Sequence, residues 1–342
     1  MKIGLINVLK KIKHKLLFDR EYKKFLNTGL HSKQGYSSFR QLFIYTKGKS
    51  NDLLSLKINK KIGKYKNINS CGILGHFTQN ELLSMAAEMR RDGFFLFNKV
   101  LPEKMTDAIL DYAVKTPISF MDVNSNIQVY SKEKVLFNEL CPLSPRYELN
   151  SQEIYNCEEF QKLIYDQSLL AFAQEYLGCK PILDLVACWW SAPFEGKGKS
   201  AAAQMYHFDL DRIKFMKFFF YITDVDTNTG PHCYVKGSHG ILPKEILRDG
   251  RYEDEELKRV YGAENMLELC GKRGSIIAVD TRGFHKGKDL LKDKRLLFQI
   301  QFTNSLFGQS YNPIDGSLIN LNYFDIIKKF NYSYKNIFAA NH

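Results

Sequence analysis

The sequence lacks the features that would place it outside the ordinary globular proteins. Its 342 residues contain no run of about eighteen uncharged apolar residues, so no membrane-spanning helix is predicted. The seven cysteines are odd in number, widely scattered and without a C-x-x-C pair. Neither a disulfide framework nor a cysteine zinc site is therefore expected, and a reducing, cytoplasmic setting fits best. Hydrophobic residues at 44% and charged residues at 25% are typical of a globular protein rather than a disordered one.

The positive charge is concentrated at one end of the chain. The formal net charge is +12, yet residues 1–67 alone hold 17 Lys and Arg against 3 Asp and Glu. Residues 68–342 retain 32 basic and 34 acidic residues, so this part is nearly neutral. The sequence therefore predicts a basic N-terminal extension over 1–67 and a globular domain over 68–342. Residues 46–70, which are polar and rich in Lys, Asn and Ser, are the predicted linker.

Residues 1–18 have the pattern of a basic amphipathic helix. Leu5, Leu9, Ile12 and Leu16 recur at helical spacing, and lysines fall mostly between them. Such a helix can lie on an anionic membrane, pack its apolar stripe on its own domain, or bind nucleic acid. Nucleic-acid binding has the least support, because no fold or motif for it is recognisable. A cleaved signal peptide also fits poorly, because lysines rather than small residues follow the short apolar run.

Beyond the extension, helical patterns come first and strand patterns follow. Thr78 and Glu81 form a capping-box pattern at the start of a helix that Gly93 ends. Further helices are predicted from Pro102 to about 114, over 158–177 and over 322–331. The predicted strands cover 94–97, 181–191, 215–224, 274–280 and 295–304. This order favours an α+β domain or an all-β barrel braced by helices.

Two of the predicted strands alternate between apolar and polar residues. In 295–303 the even positions are apolar and the odd positions are polar, except for Leu297. In 215–223 the even positions are again apolar, and Lys217, Tyr221 and Thr223 share the opposite face. One face of each strand is therefore dry, whereas the polar face points either to solvent or into the cavity of a barrel. Periodicity alone leaves both possibilities open.

Three residues have the composition of an iron site. His207 and Asp209 are separated by one residue, so both side chains leave the same face of an extended segment. With His285 they would form the facial triad of two imidazoles and one carboxylate found in non-haem iron(II) oxygenases. A surface histidine beside a turn aspartate is the ordinary explanation of H-x-D alone. Arg295 strengthens the metal interpretation, because a guanidinium on the polar strand face can bind the distal carboxylate of 2-oxoglutarate as a bidentate pair.

The same residues carry a resemblance to a known family. The run HFDLDRIKFMKFFFYITDVDTNTGPHCYVKGSHG, followed by His285 and Arg295, resembles the phytanoyl-CoA dioxygenase-like family of Fe(II)/2-oxoglutarate oxygenases. The similarity covers roughly residues 75–305, and RRDGFFLFNKVLPE over 90–103 resembles the family's entry segment. It implies a mainly β fold with flanking helices, the double-stranded β-helix (a cupin-like jelly roll). It also implies Fe(II) held by His207, Asp209 and His285, with the cosubstrate 2-oxoglutarate anchored by Arg295.

The resemblance further implies a reaction and exposes one departure. It suggests a dioxygenase that hydroxylates a small-molecule, lipid-linked or glycan-precursor substrate, and the basic N-terminal helix favours a substrate at the inner face of a membrane. Family members often carry a hydroxyl residue two positions after the distal histidine, where this chain has Gly287. Lys217, Tyr221 and Thr223 are therefore predicted as additional residues that hold the cosubstrate.

Two other readings of the site stay open. A cupin-type metal-binding jelly roll could act without 2-oxoglutarate, as an isomerase, or could bind a ligand without catalysis. Arg295 discriminates against the first, because such a protein needs no carboxylate anchor at that place. The intact triad argues against the second, because buried ionisable residues are costly to keep without a metal. Of the remaining candidates, His232 and His239 are predicted to be turn and packing residues. Alternation predicts that only one of Trp189 and Trp190 faces the inside of the barrel.

Overall fold

A computed structural model gives the fold of the chain. It describes residues 2–125, 128–195, 204–311 and 314–337. For residues 2–7 only the backbone is described, so the side chain of Leu5 in the predicted apolar stripe lies outside the described part.

The helices form an N-terminal group and a second group that follows it. The N-terminal group consists of α1 (Lys2–Thr28), α2 (Lys33–Thr46) and α3 (Lys49–Ile62). The later helices are α4 (Gln79–Asp92), α5 (Glu103–Lys115), α6 (Ser151–Tyr155), α7 (Glu158–Ile164), α8 (Gln167–Leu177), α9 (Asp254–Tyr261) and α10 (Phe324–Lys329).

The strands form a two-stranded hairpin, a large sheet and a small sheet. In chain order they are β1 (Cys71–Gly72), β2 (Gly75–His76), β3 (Phe94–Val100), β4 (Ile118–Met121), β5 (Tyr130–Val135), β6 (Arg146–Leu149), β7 (Ile182–Ser191), β8 (Phe215–Tyr221), β9 (His232–Val235), β10 (Met266–Leu269), β11 (Ser275–Val279), β12 (His285–Gly287) and β13 (Arg295–Thr303). The large sheet has the order β3-β11-β8-β13-β7-β6-β4-β5, and the small sheet has the order β10-β9-β12. All of these strand pairs are antiparallel.

The two antiparallel sheets face each other as a jelly roll. Trp189, Phe219 and Leu297 of the large sheet share one apolar cluster with Tyr234 and Leu269 of the small sheet. The chain crosses repeatedly between the sheets, and the non-consecutive order of the strands records these crossings. This arrangement confirms the predicted double-stranded β-helix.

The alternation of the central strands separates two interiors. The even positions of β8 and β13, such as Phe218 and Phe298, pack in the main core with helices α7 and α8. Several odd positions, among them Lys217, Arg295 and Gln299, line a cavity between the sheets. The polar face of each strand therefore points into the barrel rather than to solvent, which decides the question that periodicity left open.

The capping signals predict most helix boundaries correctly. Thr78 and Glu81 form the expected capping box, and Gly93 ends α4 in the left-handed conformation. The single helix predicted over 158–177 is wrong, because the chain forms two helices there. The side chain of Asp166 interrupts the first helix and caps α8 by accepting hydrogen bonds from the backbone N–H groups of Ser168 and Leu169.

The predicted linker over 46–70 is wrong for most of its length. Residues 49–62 form helix α3, with Asn51, Ser55 and Ile58 on its buried face. Asn51 Nδ2 donates to the carbonyl oxygen of Ile213 at 3.2 Å, and Asn304 Nδ2 donates to Ser55 Oγ at 2.9 Å. Some of the polar residues that suggested a solvated linker therefore lie on a buried helix face, where they form hydrogen bonds within the protein.

Helix α1 confirms the predicted N-terminal helix but does not bury its stripe. Leu9, Ile12 and Leu16 are at least half exposed, at 57%, 50% and 66%. The helix packs on the domain through residues further along, beginning with the buried Phe18. Of the helices in the described part of the chain, none combines the length and apolar content that a bilayer crossing requires.

Candidate metal centre

The first two predicted ligands lie on an extended segment beside the small sheet. His207 forms an antiparallel bridge with His285 of β12, with each backbone N–H donating to the other's carbonyl oxygen at 3.0 and 2.8 Å. The N–H of Asp209 donates to the carbonyl oxygen of Thr281 at 2.7 Å. These backbone bonds bring His207 and His285, which are 78 positions apart in sequence, to the same edge of the cavity.

The three side chains converge on one point. One ligand atom from each of His207, Asp209 and His285 lies within 4.8 Å of the other two. Nε2 of His207 is 3.7 Å from Oδ1 of Asp209, and Nε2 of His285 is 3.6 Å from Oδ2. A cluster of two imidazoles and a carboxylate with this spacing can hold a divalent ion of the first transition series.

Each imidazole is oriented by a bond to the backbone. Nδ1 of His207 lies 2.9 Å from the carbonyl oxygen of Met205, and Nδ1 of His285 lies 2.9 Å from that of Gly283. A carbonyl oxygen only accepts, so Nδ1 carries the proton and the Nε2 lone pair points towards Asp209. Burial lowers the pKa of His207 to about 3 and also lowers that of His285, which keeps both rings neutral and able to bind a metal.

Lys217 is the cation beside the candidate ligands. Its Nζ lies 2.7 Å from Oδ2 of Asp209 and 3.7 Å from Oδ2 of Asp211. Burial opposes ionisation of Asp209, yet the ammonium group of Lys217 holds the pKa of that carboxyl well below its ordinary value. The carboxylate is therefore charged and ready to bind a cation at neutral pH.

Arg295 is a buried cation without a carboxylate. It begins β13 opposite Ser191 of β7, and its Nη2 donates to Ser191 Oγ at 3.1 Å. Its Nε has no hydrogen-bond partner, and no acidic side chain in the described part of the chain forms an ion pair with it. Burial lowers the pKa of Arg295 to about 10. A guanidinium in this state fits the carboxylate of a ligand, because burying it unpaired is costly.

The other predicted cosubstrate residues occupy different positions. Lys217 lines the cavity, whereas Tyr221 and Thr223 are not among the described residues that line it. The Tyr221 hydroxyl donates to the carbonyl oxygen of Leu269 at 2.7 Å, and Thr223 Oγ1 accepts from the N–H of Leu296 at 3.1 Å. Both hydroxyls are thus committed to holding strands together.

Ser191 is a site residue that the sequence did not single out. Gly287 lies at the same end of the cavity as Ser191. A Cβ atom built on Gly287 would be 3.9 Å from Nη2 of Arg295. A hydroxyl is therefore present at the arginine even though position 287 lacks one. The only sequence signal for Ser191 is its place, two residues after Trp189 on the cavity face of β7.

The two tryptophans and His239 lie where the sequence predicts, whereas His232 does not. Trp189 faces the cavity, whereas Trp190 stacks on Phe137 in the main core with ring centroids 4.6 Å apart. His239 lies within hydrogen-bond distance of the carbonyl oxygen of Arg90, at 3.0 Å, consistent with a packing role. His232 lines the cavity instead, with its ring centroid 5.3 Å from that of His285.

The cavity is about 510 Å³ in volume, and both polar and apolar side chains line it. Arg146 lies over the ring of Trp189, 4.1 Å from its centroid, and donates to Glu148 at 3.2 Å and to the Tyr130 hydroxyl at 2.8 Å. Asp211, Gln299 and Tyr311 contribute further polar groups. A small polar molecule can therefore find both hydrogen-bond donors and hydrogen-bond acceptors in this cavity.

The fold and the candidate centre define a metal-dependent jelly-roll enzyme, and comparison with known proteins identifies its family. The phytanoyl-CoA dioxygenase (PhyH) family matches residues 89–292, which is more than half of the chain. The protein belongs to this family and is a 2-oxoglutarate-dependent oxygenase, a class that uses Fe(II) and 2-oxoglutarate. The match includes all three candidate ligands and ends three residues before Arg295.

Several solved structures are similar to the chain at low sequence identity. EctD from S. alaskensis in its apoform is 15% identical, with a TM-score of 0.47, and the alignment covers 69% of this chain and 83% of that one. HygX from Streptomyces hygroscopicus, solved with nickel, 2-oxoglutarate and hygromycin B, is 12% identical, with a TM-score of 0.47 and coverage of 69% and 90%. The epimerase SnoN from nogalamycin biosynthesis, solved with Fe3+, alpha ketoglutarate and nogalamycin RO, is 15% identical, with a TM-score of 0.47 and coverage of 66% and 84%. No curated protein matches the chain in sequence.

Proposed function

We propose that the protein hydroxylates a small polar molecule, with Fe(II) held by His207, Asp209 and His285. Arg295 and Ser191 would bind the distal carboxylate of 2-oxoglutarate. The observation that carries the proposal is the pairing of a converged triad with a buried arginine that lacks a carboxylate. A metal-binding jelly roll that acts without 2-oxoglutarate, or that only binds a ligand, has no use for such an arginine.

The protein's own residues orient the metal ligands and keep the carboxylate ligand ionised. Bound iron would supply the oxidation of the substrate by dioxygen coupled to decarboxylation of 2-oxoglutarate. The backbone carbonyls of Met205 and Gly283 orient the imidazoles, and Lys217 keeps Asp209 ionised and fixed. We therefore assign Lys217 to positioning Asp209, and Ser191 takes the cosubstrate role for which Tyr221 and Thr223 were candidates.

The polar wall of the cavity supports a hydrophilic substrate. Glu148 and Asp211 offer acceptors, Arg146 offers donors, and Trp189 offers an aromatic face. A glycan precursor, or the polar head of a lipid-linked intermediate, presents the hydroxyl groups that such side chains bind. A long acyl chain alone would leave these charged groups desolvated and unpaired.

Anaerobic spectroscopy tests the proposal directly. Adding Fe(II) and 2-oxoglutarate together to the purified full-length chain should produce a weak visible charge-transfer band that neither gives alone. A panel of polar substrates is then screened for succinate release, and the product is weighed. Hydroxylation adds one oxygen atom, whereas epimerisation leaves the mass unchanged and cyclisation lowers it. Well-folded protein that shows no band with both additions would rule out the 2-oxoglutarate site.

We also propose that the N-terminal helices contact an anionic membrane face, such as the cytoplasmic leaflet. A groove of about 880 Å³ runs between α1, α2 and the start of α3, and its apolar lining includes Ile12, Leu16 and Leu53. These three side chains are at least half exposed. The rim of the groove carries Lys11, Lys15, Lys47 and Lys49. An apolar groove bordered by lysines is complementary to anionic lipid.

Membrane contact predicts a charge-dependent sedimentation result. The chain should pellet with vesicles of phosphatidylcholine and phosphatidylserine but not with phosphatidylcholine alone. The double variant Leu16→Glu, Leu53→Glu should lower the bound fraction about tenfold. The matched control is Leu140→Glu, because Leu140 is equally apolar, lies far along the chain and is 91% exposed. Equal pelleting of the double variant and the control would disprove the contact.

A further inference from the structure

The N-terminal helices cover the back of the segment that carries two candidate ligands. His207 and Asp209 face the cavity, whereas Phe208 and Leu210 between and beyond them face the opposite way and are buried. These two side chains share a core cluster with Phe39, Leu42 and Phe43 of α2. The ring centroids of Phe43 and Phe208 are 5.6 Å apart. The outer face of the H-x-D segment is thus packed against a helix from residues 33–46.

Hydrogen bonds from the same helices fix the backbone of this segment. The Tyr36 hydroxyl donates to the carbonyl oxygen of Leu210 at 3.2 Å. Asn51 of α3 donates to the carbonyl oxygen of Ile213 at 3.2 Å. Asp52 of α3 also accepts from Arg282 at 3.1 Å, and Arg282 lies in the loop that leads into His285. All three bonds end on segments next to the candidate ligands in sequence.

A second wall of the cavity depends on the extension through Phe307. This ring is buried among aromatic side chains of α1 and α2 and the turn between them: Phe18, Tyr22, Phe25, His31 and Phe39. Two residues later, the N–H of Gln309 donates to the carbonyl oxygen of Asp211 at 2.8 Å. Gln309 and Tyr311 then line the cavity. The position of this wall is therefore tied to the N-terminal helices.

We propose that residues 2–62 are a positioning element of the metal centre, with Phe43 as its main contact. The inference rests on the proposed function, since it concerns the same site. The family match begins at residue 89, so these helices lie outside the segment that defines the family. They nevertheless cover the H-x-D segment, restrain its backbone and anchor the neighbouring wall. A basic extension that looks separable in sequence is thus a structural part of the active site.

Positioning residues behind a ligand shell act on metal affinity. Shortening Phe43 opens space behind Phe208 and lets the H-x-D segment move away from His285. We therefore expect the variant Phe43→Leu to weaken Fe(II) binding about tenfold, within the range known for residues that orient metal ligands. Tyr36→Phe removes only the hydroxyl bond to Leu210 and should produce a smaller loss in the same direction.

The test compares Phe43→Leu with Phe160→Leu in the full-length chain. Phe160 is also fully buried, but it packs against Phe298 on the helix side of the large sheet, so it controls for general loss of stability. Anaerobic competition with a chromophoric chelator measures Fe(II) affinity, and thermal unfolding measures stability. Hydrogen exchange of the metal-free protein measures protection of the His207 and Asp209 amides. Phe43→Leu should lose Fe(II) affinity and amide protection, whereas Phe160→Leu should lose only thermal stability.

The outcomes separate this inference from the proposed function. Unchanged Fe(II) affinity and amide protection in Phe43→Leu, or equal losses in both variants at equal thermal stability, would overturn the positioning role. A wild-type chain that binds Fe(II) without any effect of 2-oxoglutarate would instead refute the proposed cosubstrate. The exchange measurement needs neither iron nor 2-oxoglutarate, so it reports on the positioning role in either case.

Discussion

Replacing Asp209 by alanine should abolish both the Fe(II)/2-oxoglutarate band and coupled turnover, a loss on the order of a thousandfold or more. The variant removes the only carboxylate in the cluster of three described ligands. It also takes away the nearest anion to Lys217, which then stands beside two imidazoles and opposes a divalent cation. Two neutral imidazoles without the carboxylate cannot balance the charge of the ion.

The control for this experiment is an aspartate of similar chemistry outside the cavity. Asp254 is exposed and pairs with Lys286 on the surface, so Asp254→Ala should keep the band and the turnover. Thermal unfolding without metal confirms that both variants are folded. Normal turnover by a folded Asp209→Ala variant would show that the assignment of the triad is wrong.

Replacing Arg295 by methionine should separate cosubstrate binding from stability. The variant should raise the 2-oxoglutarate concentration needed for half-maximal band intensity by about a hundredfold, since a buried ionic contact is worth roughly 3 kcal/mol. The metal-free variant should at the same time be more stable than the wild type by about 1 to 2 kcal/mol. Burial lowers the pKa of Arg295 to about 10, so at neutral pH the guanidinium is still charged and its burial lowers the stability of the folded state.

Arg146 provides the matched control, because its guanidinium has partners. Arg146 forms an ion pair with Glu148, and its Nε donates a hydrogen bond to the Tyr130 hydroxyl. The variant Arg146→Met should therefore lower the stability of the metal-free protein. Adding 2-oxoglutarate to the Fe(II)-loaded protein should raise the melting temperature of the wild type further, and should do so much less for Arg295→Met. A destabilised Arg295→Met variant with unchanged cosubstrate affinity would mean that Arg295 is an ordinary structural arginine.

Local patterns in the sequence predict the strands of the barrel and the dry face of each. The even-numbered apolar residues of 215–223 and 295–303 identify the core face, and Lys217, Arg295 and Gln299 among the odd-numbered polar residues line the cavity. The spacing of His207 and Asp209 predicts a shared face because an extended backbone requires it. His285 and Arg295 lie too far along the chain for local spacing to connect them to this pair. The chemistry of a facial triad and of a carboxylate anchor proposes them, and the resemblance supports both.

The features that sequence reasoning missed depend on long-range pairing or on buried polar groups. Ser191 reaches Arg295 only because β7 pairs with β13 in one register, which no local pattern encodes. Helix α3 was mistaken for a linker because Asn51 and Ser55 are polar, yet both satisfy hydrogen bonds inside the protein. Composition reports how polar a segment is, but it does not report whether water or the protein provides its hydrogen bonds.

The backbone bonds to the two imidazoles have a practical consequence for metal content. Because both rings are already turned towards the carboxylate before any ion arrives, a divalent ion that accepts two nitrogens and one oxygen can bind without rearranging them. Zinc, nickel and copper bind nitrogen and oxygen donors at least as tightly as ferrous iron does. Which ion fills the protein in a cell or a purification therefore follows supply, and elemental analysis has to precede any judgement that a preparation is inactive.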